Sequence, residues 1–405
     1  MRWIAIATIL LIACPNPASA EPPGELLRRE LKAGRSFAAI AQLKPLANAN
    51  PDAQMALGFA EFVRAIEQLA EGLFRFGLKT PDMPFVPVVR LPIPTNQQPE
   101  PVDYAKLRSL YQKFLDDLAI ARTTLIAFAA SSGSDQSKIV LDVSAIRLNI
   151  GQPTMLELRG VFLALNPPRW RGPQDAFDSW EVAFDRADAL WLAGYSHTVS
   201  ALFEFVMAHD WQQTFDATGP LFFSGASPNK EFAPDSLRIM NGTGHGFADQ
   251  IAFLHLIQWP AGDKARMSRA RQYLKSVVAL SRETWKAVLA ETDDDREWLP
   301  SPRQQSRAVP RLPITDGMVT GWFEALDEFD AVLDGQKLLG HWRFNRGIDL
   351  KMLFEEPRPF DLVLWVAGHG AVPFLKDGPM LTGSAWQRWN AAFAGNFLGY
   401  LFFIN

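Results

Sequence analysis

The chain has 405 residues, of which 48% are hydrophobic and 21% charged, and its formal net charge is −4. That much apolar side chain excludes a disordered protein and can build a large core, as one large domain or two. Acids and bases are interspersed with no basic excess, which removes the electrostatic footprint of a nucleic-acid binder.

Arg2 is followed by an apolar run from Trp3 to Ala13. The run is shorter than the roughly 20 residues of a bilayer span and has the form of a signal-peptide core. Two processing signals follow it. Ala18-Ser19-Ala20 before Glu21 has the small-x-small form that signal peptidase cuts, which makes residues 1–20 a signal peptide. Leu11-Ile12-Ala13-Cys14 reads as a lipobox ending on the single cysteine. The expectation is a periplasmic or secreted chain with no transmembrane span once processed. Its alternative is a lipoprotein anchored to the membrane through Cys14. A chain cut at residue 20 keeps no cysteine and must hold together by packing, without disulfides.

The elements then follow in order. From Gly24 to Phe76, Leu26, Leu27 and Leu31, then Ile40, Leu43 and Leu46, then Leu57, Phe62, Ile66, Leu69 and Leu73 recur at helix-face spacing, which predicts two or three helices. Residues 80–101 hold Pro81, Pro84, Pro87, Pro92, Pro94, Pro99 and Pro101, which exclude helix; the apolar residues between them predict an extended strap packed on the helices. A helix is predicted from Tyr104 to about Ala129 on the stripe Leu107, Leu110, Tyr111, Phe114, Leu118, Leu125 and Phe128. Ser131-Ser132-Gly133-Ser134-Asp135 ends it and is the candidate boundary between an N-terminal unit, 21–130, and a larger unit, 131–405. The two can equally be one continuous domain. Broken periodicity and β-branched residues predict a short β-hairpin near 138–165. Helix is then predicted from Ala176 to Gly219-Pro220, and over Phe247–Trp259, Lys264–Ala290 and Thr315–Leu333. Thr315 or Asp316 is the expected cap of the last helix and Asp334-Gly335 its close. Asp361–Val366 fits either a strand or a helix. The fold class is therefore mainly α, with helical hairpins around a large core.

Gly34 and Ala39 stand where a tetratricopeptide repeat places its small packing residues, and Pro51 stands where that repeat ends its second helix. Residues 24–76 thus resemble a single tetratricopeptide-type helix pair. The resemblance implies a helical hairpin, since a solenoid needs about three stacked units. In export, size and histidines on helices the chain is also similar to the imelysin-type periplasmic proteins, and in its hairpins it resembles an exported bacterial family of helical proteins. Neither resemblance carries a site residue over.

Six histidines limit any metal or acid-base site. His197 and Glu204 lie seven residues apart, two turns along one helix face, where a carboxylate can orient an imidazole. Asn241-Gly242-Thr243-Gly244-His245-Gly246 leads into the predicted helix carrying Asp249 and His255. Backbone amides at Gly242, Gly244 and Gly246 can hold an anionic cofactor at the helix start, and His245 and Asp249 share a face. Glu291-Thr292-Asp293-Asp294-Asp295-Arg296-Glu297 falls at a helix C-terminus, where negative charge is unfavourable. It calls for Arg296 or Arg303 as a partner, or for a cation on Asp293, Asp295 and Glu297. No glycine-flanked nucleophilic serine and no metalloprotease helix is present. The first expectation is a binding or interaction protein of the bacterial cell envelope, its partner another envelope protein or a small ligand. The alternative is a metal-dependent hydrolase that holds a divalent ion with His197, Glu204, His245 and Asp249.

Overall fold

A computed structural model describes residues 21–79, 92–151, 155–165, 180–227, 251–306, 308 and 314–404. The leader with Cys14, residues 80–91 of the strap, and the glycine loop with His245 and Asp249 lie outside the described residues.

Two short helices, α1 (Pro23–Lys32) and α2 (Ser36–Leu43), lead into α3 (Pro51–Arg75), and α4 (Tyr104–Ala129) follows with the predicted limits. Asn50 and Asp103 start the two long helices by accepting the amides of Ala53 and Lys106, donors that a first helical turn leaves unpaired. Pro51 opens α3 at a position where a missing N–H costs nothing, rather than ending the helix before it. Gly58 and Gly72 bring α3 against α4: a Cβ at residue 58 would stand 2.7 Å from Leu125, and one at residue 72 would run into Leu110. The described part of the strap is extended and packed, with Ile93 buried, Asn96 donating to the Phe74 carbonyl at 3.0 Å, and the Glu100 amide bonded to Arg75 at 2.8 Å.

Strand β1 (Ile139–Asp142) is followed by the short hairpin β2 (Arg147–Asn149) and β3 (Met155–Glu157), then α5 (Leu158–Leu165). β1 itself pairs with the later strand β4 (Glu181–Phe184), Ile139 opposite Phe184 and Asp142 opposite Glu181. The helix expected through Trp180 is therefore a strand up to Phe184. Val182 and Ala183 are fully buried there, and Asp185, in extended conformation, begins the helix behind them. That helix, α6 (Arg186–Ala208), opens on a reciprocal capping box between Asp185 and Asp188. It stops well before Gly219. Arg108 of α4 donates to the Met207 carbonyl at 2.7 Å and the His209 carbonyl at 2.9 Å, satisfying acceptors that a helix end leaves open. After the turn, α7 (Gln212–Phe222) runs past Pro220, which sits inside its last turn.

Residues 251–256 form α8, and Trp259 belongs to strand β5 (Gln258–Trp259), not to a helix. α9 (Lys264–Ala290) and α10 (Asp316–Leu333) keep their predicted limits, with Thr315 capping α10 and Gly335, at φ +70, closing it. The tail adds β6 (Gly347–Ile348), α11 (Leu350–Glu355), β7 (Phe360–Asp361), α12 (Leu362–Val366), β8 (Leu375–Lys376), α13 (Gly383–Ala392) and α14 (Phe397–Ile404). β7 pairs with β5 and β6 with β8. Of the segment that fitted either strand or helix, Leu362–Val366 is a helix capped by Asp361 that buries no residue.

The fold is mainly α, with short two-stranded antiparallel sheets of which the β1–β4 pair belongs to the core. α3 packs on α4, α4 on α6, and α6 on α9, while α10 and α11 lie against α9. One contiguous core runs from Leu26 to Phe397 and crosses residue 131 without a break. Among the described residues no helix is long and apolar enough to cross a membrane.

Candidate functional site

Where α3, the start of α4, the end of α6 and α7 meet, they border a half-open cavity of about 220 Å³. Leu69 and Leu73 come from α3, Leu107 and Tyr111 from α4, Phe203 from α6, Phe215 and Phe222 from α7, and Phe253 from α8. Leu78, Trp211 and Phe223 add to the wall from the connecting turns, and among the described residues that line it none is charged. The helix periodicity that makes Leu69, Leu73, Leu107, Tyr111 and Phe203 stripe residues aims them into this space.

Few polar atoms face it. The Thr214 hydroxyl donates to the Leu256 carbonyl at 2.6 Å and accepts the Trp259 indole at 3.1 Å; the Thr218 hydroxyl donates to the Thr214 carbonyl at 2.6 Å. The buried indole N–H of Trp211 has no acceptor. Burial alone pushes the Tyr111 hydroxyl up to about 12, so it keeps its proton at any physiological pH. Trp211 is fixed from outside: its amide donates to the Tyr104 hydroxyl at 3.1 Å, its ring meets Tyr104 edge-on at 4.6 Å, and Arg108 bonds the same hydroxyl at 3.0 Å. An apolar hollow with a few fixed polar groups is the usual form of a small-molecule site. A second, smaller cavity of about 120 Å³ lies between Phe205, His209, Met267, Phe360, Trp365 and Phe374.

His197 and Glu204 sit on one face of α6, about 10 Å apart along its axis. Glu204 is buried and accepts Arg266 at 2.9 Å and Arg269 at 3.0 and 3.2 Å, which clamps α6 to α9. His197 packs on the Tyr273 ring beside Arg122, whose guanidinium donates to Ser200 at 2.9 Å and to the Tyr273 hydroxyl at 3.0 Å. Burial first, then the Arg122 charge, push the His197 imidazole down to about 4, so the ring is neutral, with its Nδ1 unpartnered. Each member of the pair thus has its own neighbours. Gly242, Gly244, Gly246, His245 and Asp249 lie outside the described residues, so their juxtaposition with His197 is not seen.

The acidic run after α9 divides. Asp293 pairs with Lys138, Asp295 with Arg296 at 2.8 Å, and Arg303 caps the helix end through the Leu289 carbonyl. Glu297 turns inward instead and, with Glu291 and Asp185, places carboxylate oxygens within 4.8 Å of one another. Burial, then the neighbouring Asp185, push Glu291 up to about 9; burial pushes Glu297 up to about 7; and burial with Asp185 holds Asp188 well above the carboxylate range. Such a group shares protons near neutrality, and once deprotonated it presents only oxygen ligands, which suit hard divalent ions. Glu297 belongs to the set read from the sequence. Asp185 and Glu291 join it only through the fold.

The comparisons find no family model, no curated protein and no solved structure that matches this chain. Trp211 was not legible as a site residue, because its unpaired indole nitrogen is visible only once the helices are packed.

Proposed function

We propose that the chain is an exported binding protein of the bacterial cell envelope that performs no chemistry, and that the cavity between α3, α4, α6 and α7 takes its small apolar ligand. The observation that carries this reading is the cavity itself: about 220 Å³ walled by leucine and aromatic side chains, with no charged group among the described residues that line it. The leader supports the compartment. The hydrolase alternative has less support, because the Glu204 carboxylate is committed to Arg266 and Arg269.

Gly219 lines the cavity, and a Cβ there would stand 3.2 Å from the Phe215 ring, so a leucine at this position projects bulk into the space. Calorimetric titration of residues 21–405 with α-methylstyrene should show saturable one-to-one binding that Gly219→Leu abolishes while its far-UV circular dichroism is retained. Absence of saturable binding to the parent chain, or equal binding by the variant, would overturn the proposal.

A further inference from the structure

Large apolar side chains scattered singly over a protein surface are ordinary; several together mark a surface that meets something. α12 is apolar at every position, Leu362, Val363, Leu364, Trp365 and Val366, and buries none of them. A helix that is apolar all round normally lies inside a protein or against lipid. Val366 is 71% exposed, and Leu364 is exposed as well. The 3-10 helix His369–Phe374 packs against α12 and adds the exposed Val372. Gly368 follows α12, and a Cβ there would meet the His341 ring at 2.8 Å and the Arg343 side chain at 3.1 Å, so the turn 341–344 is seated against the end of this helix. His341 fixes that turn: its Nδ1 accepts the Arg343 amide at 3.2 Å and its carbonyl accepts the Phe344 amide at 3.0 Å. Trp342 projects from it with 76% of its surface in solvent.

The unpaired charges beside this face are cationic. Arg343 lies over the Trp342 ring at 4.4 Å, and Arg358 is exposed between Pro357 and Pro359, just ahead of α12. Among the described residues neither guanidinium forms an ion pair. The acids around them are engaged elsewhere: Asp349 with Lys376 at 2.6 Å, Glu355 with Arg271 at 3.3 Å, Asp377 with Arg346 at 3.3 Å, and Asp361 as the cap of α12, while Glu356 lies in the field of Lys376. An apolar helix with an exposed tryptophan beside it and an unpaired arginine at each end complements an anionic lipid interface, where the indole sits at headgroup level and the guanidinium meets phosphate.

We propose that α12 and the Trp342 turn form a docking face that settles into the headgroup region of an anionic bilayer without crossing it. Trp342, Leu364 and Val366 supply the apolar contact, and Arg343 and Arg358 bind lipid phosphate. The face shares no residue with the cavity between α3, α4, α6 and α7, so each is tested separately.

The test is flotation of residues 21–405, which lack Cys14, with lipid vesicles. The chain should float with vesicles of phosphatidylglycerol and phosphatidylcholine in equal parts, and far less with phosphatidylcholine alone. An arginine near an anionic surface is worth about five-fold in binding, so Arg343→Gln and Arg358→Gln should each weaken partition by about that factor and narrow the preference for phosphatidylglycerol. Trp342→Ser should weaken binding to the anionic vesicles roughly ten-fold, whereas Phe37→Ser, which removes a comparably exposed ring from α2, should leave it unchanged. All four side chains are exposed, so far-UV circular dichroism of the variants should match the parent. No flotation of the parent chain, equal flotation with both vesicle types, or equal loss in Phe37→Ser and Trp342→Ser would overturn the proposal. So would sedimentation velocity without lipid that shows a dimer which Trp342→Ser dissociates, since the face would then belong to a second copy.

Discussion

Glu204 is 4% exposed and faces two arginines. The arginines left behind keep 18% and 42% of their side-chain surface in solvent, which screens their charge, so Glu204→Ala should lower stability by roughly 2 kcal/mol in chemical denaturation. A loss below about 1 kcal/mol would mean the clamp is not holding α6 to α9. Glu291 behaves oppositely to a paired carboxylate. Its unfolded value is near 4.5 and its folded value about 9, so between those limits the folded chain binds more protons than the unfolded one. Stability contributed by this group is therefore present at low pH and is lost as pH rises through the folded value. The melting temperature should fall from about pH 6 toward pH 9, and Glu291→Gln, neutral throughout, should flatten that slope. An unchanged slope in the variant would remove Glu291 from the cluster's titration.

At the scale of elements, caps and stripes carried the reading well. Thr315 is legible as a cap of α10; Asp103 and Asp263, which the sequence pattern does not single out, do the same for α4 and α9, and all three side chains accept first-turn amides. Pattern failed where a short apolar run has no period. Trp180 to Phe184 is as apolar as a helix face, but it pairs with β1, a partner forty residues earlier that no local signal names. It failed again at the end of α6, where Arg108 from another helix takes the terminal carbonyls. The α3–α4 contact is likewise a tertiary fact. A methyl at residue 58 would stand 2.7 Å from the fully buried Leu125, so Gly58→Ala should destabilise by roughly 2 kcal/mol despite better helix propensity, measured as a shift in denaturation midpoint. A stabilised variant would mean the two helices have room to spare.

The whole molecule explains why the site was harder to read than the fold. The cavity wall draws on residues from Leu69 to Phe253, supplied by five helices and the turns between them, and each looks in isolation like ordinary core. The polar pair on α6 was visible from spacing, but its neighbours Arg266, Arg269 and Tyr273 all come from α9, and they turn Glu204 into a structural anchor. The core continues across the turn at residue 131, so the helices that form the cavity are held by packing from both sides of it. The most direct measurement is a crystal of residues 21–405 soaked in bromobenzene and recorded at the bromine absorption edge. A bromine peak enclosed by Leu73, Phe203, Trp211 and Phe222 is the predicted result; a cavity that stays empty while bromine collects elsewhere would contradict it.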